Sequence, residues 1–277
     1  MLGWPLSPQI EDPMAHRTDV EPHRRCRSLT RHSCLPGVLF PLLGAGLLVG
    51  ASAAQAQDAP PLNLDWWHPV AAGGAVAATI FFIDEPVRDW MQPAPESLDD
   101  LADFAARFKD GPVYWYSAAG LAGIGLAARE PKVAATGVHV ITAYGMAGWM
   151  NISLKWVFGR TRPSQTPGDV NEFDFFDGGE NAAFPSGSAA VVFSLATTRA
   201  DAVDRTPVSV VLYAGAGLNS WARLHTNRHW VSDVAMGALV GITAAKLVNG
   251  EWTLFGLSPP ALWTDGRRSG LAMQIGL

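Results

Sequence analysis

The sequence predicts an all-α protein: a helical bundle of about six core helices, followed by a short hairpin-like tail. Three observations lead to this fold class. Alanine- and glycine-rich apolar segments of helix length follow one another along most of the chain. Polar residues, proline and glycine separate these segments, as expected at helix ends. Strand patterns are nearly absent before residue 250, so the core is expected to consist of helices.

The first 56 residues are predicted to form an export leader that is not part of the fold. A basic stretch from His23 to Arg27 precedes an apolar run from Leu35 to about Ala53. The run closes on Ala54-Gln55-Ala56, a small-x-small pattern that signal peptidase cuts. The long basic region suggests Met14 as the true start, and an uncleaved anchor is the competing account. We therefore expect an exported protein.

The composition argues against several classes of site and partner. Both cysteines, Cys26 and Cys34, fall inside the leader, so the mature chain would have no thiol for a disulfide or a cysteine metal site. The formal net charge of −5 at pH 7 argues against nucleic acid as a partner. No metal-ligand set is apparent in the sequence, so neither a metal nor another cofactor is expected.

Apolar segments and helix-breaking residues divide the remaining chain into seven predicted helices. They cover residues 68–83, 97–109, 113–128, 133–158, 186–200, 207–222 and 230–248. Residues 57–109 are expected to form N-terminal helices, 110–248 the main helical domain, and 249–277 a tail. Asp84-Glu85-Pro86 is predicted to end the first helix, because proline interrupts helical hydrogen bonding. In the tail, Asp265-Gly266 between two apolar runs predicts a hairpin turn.

The apolar helices raise the question of a membrane. A span needs about 20 apolar residues, and several segments are shorter. If the leader places residue 57 outside, three crossings would put residues 155–163 on the inner side. Either 68–83 does not cross, or the helical domain is soluble and periplasmic. We expect membrane association, with the protein in the inner membrane and its site facing the periplasm; a soluble periplasmic domain is the alternative.

Three polar segments stand at predicted helix ends. Lys155 lies on the last turn of one helix, Gly159 is a natural helix stop, and Arg162-Pro163 follow in the loop. By itself this segment reads as a basic flank of an apolar helix.

The second segment is Phe184-Pro185-Ser186-Gly187-Ser188, which precedes an apolar helix. Ser186 is a suitable helix cap, and Gly187 would leave backbone N–H groups available at the positive helix end. Such an end can hold an anion, although an ordinary capped helix has the same sequence pattern.

The third segment contains Arg223, His229 and Asp233. If His229 opens a helix, Asp233 lies one turn further on the same face. The carboxylate can then hold one imidazole nitrogen and leave the other free to attack an electrophile. Arg223 supplies a fork-shaped cation suited to a phosphate-like oxyanion.

Together the three segments resemble the type 2 phosphatidic acid phosphatase superfamily, which also includes bacterial class A acid phosphatases and vanadium haloperoxidases. The family pattern is Lys-x6-Arg-Pro, then Pro-Ser-Gly-His, then Ser-Arg-x5-His-x3-Asp. Order, spacing and helix-boundary positions match over roughly residues 110–248. The resemblance implies the family's helical fold and a phosphatase chemistry that needs no metal.

The resemblance also implies a role for each matching residue. His229 would be the nucleophile that takes the phosphoryl group, and Asp233 would orient it. The phosphate oxygens would be held by Lys155, Arg162, Ser186, Gly187 and Arg223.

Two positions depart from the family pattern. Ala222 stands where the family has serine, a mild loss of a supporting contact. Ser188 stands where the family has the histidine that protonates the leaving oxygen, and a serine hydroxyl cannot act as an acid at neutral pH. A phosphate leaving from a diphosphate needs this proton less than a lipid alkoxide does. The sequence therefore favours a diphosphate such as a polyprenyl diphosphate, and a rescue by His225 is a less favoured alternative.

The expected function is removal of phosphate from a lipid phosphate or diphosphate through a phosphohistidine on His229. The alternative from another class is a protein that binds a phosphate headgroup without turning it over, because Ser188 replaces the acid. Intact His229 and Asp233 argue against that alternative. A vanadium haloperoxidase is a weaker third interpretation.

Overall fold

The computed structural model describes residues 61–107, 111–165, 171–177, 182–258, 261–264 and 269–272. The predicted leader, both cysteines and the Asp-Gly turn of the tail lie outside these residues. The all-α fold class predicted from the sequence is confirmed, because the described chain is predominantly helical.

Eight α-helices and four short strands are present in the described residues. The helices are α1 (Trp67–Phe82), α2 (Asp84–Met91), α3 (Asp99–Ala106), α4 (Gly111–Ala128), α5 (Pro131–Phe158), α6 (Gly187–Val203), α7 (Thr206–His225) and α8 (Val231–Val248). The strands are β1 (Leu62–Leu64), β2 (Trp252–Leu254), β3 (Ala261–Thr264) and β4 (Ser269–Ala272). All seven predicted helices are found, with ends shifted by a few residues.

Helix α2 corrects the prediction for Asp84-Glu85-Pro86. These residues do follow the end of α1, but they also begin a second helix. Proline is tolerated in a first helical turn because the N–H groups there have no intrahelical partner. The two acidic residues of this turn suit the positive end of the helix dipole.

Of the two strand pairs in the described chain, one was not predicted and the other was. Strand β1 was not expected, and it pairs in parallel with β2, with Leu62 opposite Trp252. The predicted hairpin in the tail is confirmed, because β3 and β4 are antiparallel with Leu262 opposite Leu271.

Helices α5, α6 and α8 form the packed unit that carries the site. The α6 and α8 backbones approach closely because α8 has glycines at the contact. A Cβ atom on Gly237 would lie 2.4 Å from the Ser186 carbonyl oxygen, and one on Gly241 would lie 2.2 Å from that of Ala190. We call the end where α5 ends and α6 and α8 begin the site end, and the opposite end, where α6 and α8 finish, the far end.

Within the described residues, α8 is long and apolar enough to cross a membrane, with 18 residues and a mean hydropathy of 1.6. Helices α1 and α2 meet the same criteria only when taken together, and they are bent by 50° at their junction. Buried core helices of soluble proteins have these properties too.

Candidate active site

The first site segment is built by the end of α5. Gly159 adopts the left-handed conformation, with φ of 54°, and its N–H donates to the Lys155 carbonyl. This ends the helix as predicted and turns the chain towards Arg162. The Lys155 ammonium donates to the carbonyls of Ala182 and Ala183. Lys155 therefore joins the end of α5 to the segment that leads into α6.

The second segment is held between α5 and α8. Ser186 is the N-cap of α6, and its hydroxyl accepts from the Ala189 N–H at 3.4 Å. The backbone N–H of Ser186 donates to the Asp233 carbonyl at 2.8 Å. On the α5 side, the Asn151 amide donates to the Pro185 carbonyl at 3.3 Å. These bonds place the start of α6 directly beside the start of α8.

Gly187 and Ser188 are the first two residues of α6, and both are half-buried. A Cβ atom on Gly187 would lie 3.2 Å from the Asn151 side-chain oxygen. The absence of a side chain at Gly187 thus allows the first turn of α6 to lie close to α5.

The third segment lies at the start of α8, close to where the predicted range 230–248 places it. His229 directly precedes the helix, because Trp230 is the N-cap and the helix begins at Val231. Asp233 lies close to His229, with the Asp233 Oδ2 atom 3.5 Å from His229 Nδ1. The same Oδ2 accepts from the Trp230 N–H at 2.8 Å, so the carboxylate also caps the helix.

His229 is only 9% exposed, in a positively charged surrounding. Burial lowers the pKa of its imidazole, the Asp233 carboxylate opposes this, and the charges of Lys155 and Arg162 lower it further. The side chain is therefore neutral at pH 7, and one ring nitrogen keeps its lone pair. The Asp233 carboxylate on the Nδ1 side favours a proton on that nitrogen, which leaves Nε2 as the nitrogen available for attack.

The predicted cations Arg162 and Arg223 have different surroundings. Arg162 is half-buried in the loop after α5, and its charge acts on His229 together with that of Lys155. Arg223 lies in the last turn of α7, buried, and donates from Nη2 to the Ala106 carbonyl at 3.2 Å. Its own carbonyl accepts from the Arg228 N–H, which fixes the turn that leads to His229.

His225, the less favoured replacement acid, makes its contacts with α3 and α7. Its Nε2 atom lies 2.8 Å from the Asp99 carboxylate of α3, and its ring packs against Trp221. No helical turn connects His225 to His229, because α7 ends at His225 and a turn follows. This histidine joins α7 to α3.

Sequence reasoning missed three residues behind Asp233. Arg160, Asp84 and Ser232 are fully buried and hydrogen-bonded to one another. Arg160 also donates to Asp233 at 2.8 Å, and its guanidinium lies over the rings of Phe173 and Trp230. The sequence did contain an indication for Arg160, because this arginine lies between Gly159 and Arg162 of the first segment. Asp84 gave none, because it lies far away in sequence.

In the described part of the chain, no group of three or more His, Cys, Asp or Glu side chains is arranged to hold a metal ion. The arrangement at the site end consists instead of a buried imidazole, a carboxylate beside it and nearby cations. This set of groups can hold an oxyanion and present a nucleophile to it.

Comparison with known proteins finds a match to one family model. Residues 136–250 match the model of the PAP2 superfamily, the family that the three segments resemble. The match includes every residue that was assigned a role from the resemblance.

The individual relatives either match only part of this chain or have low sequence identity to it. A Lipid A 1-phosphatase of Porphyromonas gingivalis is 38% identical over 117 residues, which are 41% of this chain and 23% of that protein. The chain thus matches about a quarter of its relative's length.

Two solved structures align with this chain over 94% of their own length. LpxE of Aquifex aeolicus is 23% identical, with a TM-score of 0.46 over 60% of this chain. A transmembrane PAP2-type phosphatidylglycerolphosphate phosphatase of Bacillus subtilis is 16% identical, with a TM-score of 0.45 over 77%.

Proposed function

We propose that this protein removes phosphate from a lipid phosphate or diphosphate through a phosphohistidine intermediate on His229. The observation that carries the proposal is the pairing of a buried, neutral imidazole with a carboxylate that is held on both oxygens. Asp233 Oδ1 accepts from Arg160, and Oδ2 accepts from the Trp230 N–H beside His229. Such an orienting group is needed for a nucleophile and is not needed for simple binding.

The reaction follows from the two ring nitrogens. With the Nδ1 proton directed at Asp233, the Nε2 lone pair attacks phosphorus and forms an N–P bond while the bond to the leaving oxygen breaks. The imidazole becomes cationic in this step, and Asp233 stabilises that charge. Water then attacks the phosphohistidine, releases phosphate and restores the neutral ring.

The cations and the start of α6 are assigned to the phosphate oxygens. Lys155, Arg162 and Arg223 would balance the charge of the transferring group, while the Ser186 hydroxyl and the Gly187 N–H would donate to it. Phosphoryl transfer depends mainly on positioning and charge stabilisation. The influence of Lys155 and Arg162 on the His229 pKa supports their place beside the reacting phosphate.

Ser188 directs the proposal towards a diphosphate. It is the second residue of α6, where the family pattern has the histidine that protonates the leaving oxygen. Loss of a general acid costs about 10²–10⁴-fold in rate. An inorganic or lipid phosphate leaves without that proton more readily than an alkoxide does. We therefore propose a polyprenyl diphosphate as the preferred substrate within the lipid phosphate class.

A lipid substrate fits the apolar surface of the chain. Large side chains of α1, α2 and α4 are exposed, with Trp90 83%, Phe82 76% and Tyr116 79% accessible. Exposed apolar surface of this extent is expected where a protein meets a membrane. We propose association with the inner membrane and a periplasm-facing site; a soluble periplasmic domain remains the alternative. The name of the Porphyromonas relative supports a lipid phosphate as substrate.

The test is phosphate release by the purified full chain from polyprenyl diphosphate, the matched polyprenyl monophosphate and phosphatidic acid. We expect turnover of all three, fastest with the diphosphate, and loss of about 10³-fold or more in His229→Ala. His225→Gln is the matched control, because this histidine contacts Asp99 and has no part in the proposed chemistry. A trapped protein phosphate that is labile to acid and stable to base would identify the phosphohistidine.

The second candidate function is a protein that binds a phosphate headgroup without hydrolysis, and Ser188 favours it. Wild-type protein that releases no phosphate, combined with activity in Ser188→His, would support the binder and contradict the phosphatase. An equal or opposite preference between diphosphate and monophosphate would remove the argument for a diphosphate. Vanadium in the purified protein would instead support a haloperoxidase.

A further inference from the structure

The buried side chains behind Asp233 extend the site beyond the residues that match the family model. The geometry points to Asp84 as a positioning residue that, through Arg160 and Ser232, holds Asp233 in the orientation that fixes the tautomer of His229. This inference rests on the proposed role of His229 as nucleophile. Asp84 begins α2 and lies outside residues 136–250, so a part of the chain that does not match the family would help to set the reactivity of the site.

Arg160 connects the two carboxylates directly. Its Nη1 atom donates to Asp233 Oδ1 at 2.8 Å, and its Nη2 atom donates to Asp84 Oδ2 at 2.8 Å. All three side chains have no exposed surface. A guanidinium has its N–H groups in a rigid plane, so binding one carboxylate fixes the direction available to the other. The position of Asp84 therefore constrains the position of Asp233.

Ser232 closes the connection between Asp84 and α8. Its hydroxyl accepts from Arg160 Nη1 at 2.6 Å and donates to Asp84 Oδ2 at 2.5 Å. Its backbone N–H donates to Asp84 Oδ1 at 2.8 Å. Asp84 thus satisfies an N–H in the first turn of α8, where Asp233 satisfies another. The start of α8, and with it Asp233, is held from the α2 side.

The charges explain why this matters for His229. Two buried carboxylates share one guanidinium, so neither is fully neutralised by it. Asp233 consequently keeps enough negative charge to accept the Nδ1 proton of His229. Without the Asp84 charge, only Asp233 of the two carboxylates would share the charge of Arg160, and Asp233 would be a weaker acceptor. The imidazole would then populate both tautomers, and Nε2 would carry a proton part of the time.

The His229 tautomer can be measured without any substrate. We would label histidine with ¹⁵N in the full chain, which has seven histidines, and assign His229 from the signal lost in His229→Ala. In wild-type protein we expect one neutral tautomer with the proton on Nδ1. In Asp84→Asn, which keeps the size of the side chain, we expect ¹⁵N shifts typical of a mixture of tautomers.

A matched control separates positioning from general stability. Asp201 also accepts hydrogen bonds from a cation and another side chain, Lys246 and Asn249, but at the far end. Asp201→Asn should lower the unfolding temperature without changing the His229 signal. Ser232→Ala keeps every charge and removes only the hydroxyl link, so it decides the question if Asp84→Asn does not fold. We expect the same tautomer mixture in Ser232→Ala, to a smaller degree.

Turnover supplies a second readout. Loss of a supporting contact of this kind typically costs about 10–100-fold in activity, so kcat of Asp84→Asn should fall by that factor with KM nearly unchanged. A His229 signal in Asp84→Asn and Ser232→Ala identical to that of wild type would overturn the inference, whatever the rates. Failure of the proposed function looks different: wild-type protein would release no phosphate, while the tautomer comparison would still give its answer.

Discussion

The two ends of the helical bundle use the same kind of contact for different purposes. At the site end, Arg160 lies between Asp84 and Asp233, and all three side chains are fully buried. At the far end, Lys246 lies between Asp201 and Glu251, with side chains between 19% and 29% exposed. In both places one cation is shared by two carboxylates, and each cluster joins α8 to its neighbours.

Burial and side-chain geometry make the two clusters unequal. An ammonium near water exchanges partners at little cost, so the far end needs no single arrangement. A buried guanidinium between two carboxylates has one satisfactory arrangement, and losing it leaves charges without partners. The site end therefore has the rigidity that a nucleophile and its orienting carboxylate need.

Removing each cation gives the largest expected difference between the two ends. Arg160→Met would leave two carboxylates in a fully buried place, and we expect a loss of about 3–5 kcal/mol in the free energy of unfolding. Lys246→Met at the partly exposed far end should cost about 1 kcal/mol or less. Denaturant unfolding of the two variants beside wild type measures both. Losses of equal size would contradict the distinction drawn here between the two clusters.

Adding an imidazole should affect activity at one end only. Ser188→His restores the acid of the family pattern at the start of α6, and we expect turnover of a lipid monophosphate to rise by about 10²-fold. The rise should be smaller with a diphosphate, whose leaving group needs the proton less. Ser209→His places the same group in the first turns of α7, at the far end, and should leave both rates unchanged. An equal rise for both substrates would argue against the leaving-group explanation.

A methyl group between α6 and α8 tests how closely the site end is packed. Gly237→Ala would bring a Cβ atom to 2.4 Å from the Ser186 carbonyl oxygen, so the helices must separate. We expect a loss of about 1–3 kcal/mol and lower turnover, because Ser186 and Asp233 would move apart. Gly217→Ala on α7 meets no atom within 4 Å and should gain up to about 1 kcal/mol from helix propensity. Thermal unfolding and phosphate release distinguish the two; full activity in Gly237→Ala would contradict this account.

The smallest expected effect is a shift of the acidic side of the pH–activity profile to lower pH. Burial lowers the pKa of His229 below its usual 6.5, and the attacking form is the neutral ring. Activity should therefore persist below pH 6.5 and fall only where His229 gains its proton. The pH dependence of kcat/KM measures this limb, which Lys246→Met at the far end should leave in place. An acidic limb at or above pH 6.5 would show that the imidazole is less buried, or closer to free carboxylate charge, than described.

Local patterns predicted most of the fold and the centre of the site. Apolar segments predicted the helices, Gly159 predicted the end of α5, and Ser186 predicted the start of α6. Each of these signals depends only on residues that are close in sequence. His229 and Asp233 are four residues apart, so their contact was also within reach of a local argument. The predicted start of the last helix at residue 230 is one residue before the observed start at Val231, because helix starts are defined by backbone angles that side-chain spacing does not reveal.

Contacts between distant residues could not be predicted in the same way. Arg160 and Asp84 are 76 positions apart, and although Arg160 lies within the first site segment, nothing near it in sequence indicates Asp84 as its partner. Pro86 indicated a helix end, although proline suits a helix start equally well. The missed contact of Asp84 and the incomplete prediction for Pro86 both concern the start of α2, where tertiary contacts with α8 decide the structure.

The parallel pairing of β1 with β2 sets an order of events in folding. Asn63 and Thr253 are hydrogen-bonded across 190 positions, so the pair closes a loop that contains every described helix. On the ribosome, β1 emerges before those helices and β2 after them. The first strand must therefore wait, with its backbone groups solvated, until the bundle has been synthesised. Its pairing is a late step, and amide exchange in β1 would report when the chain has finished folding.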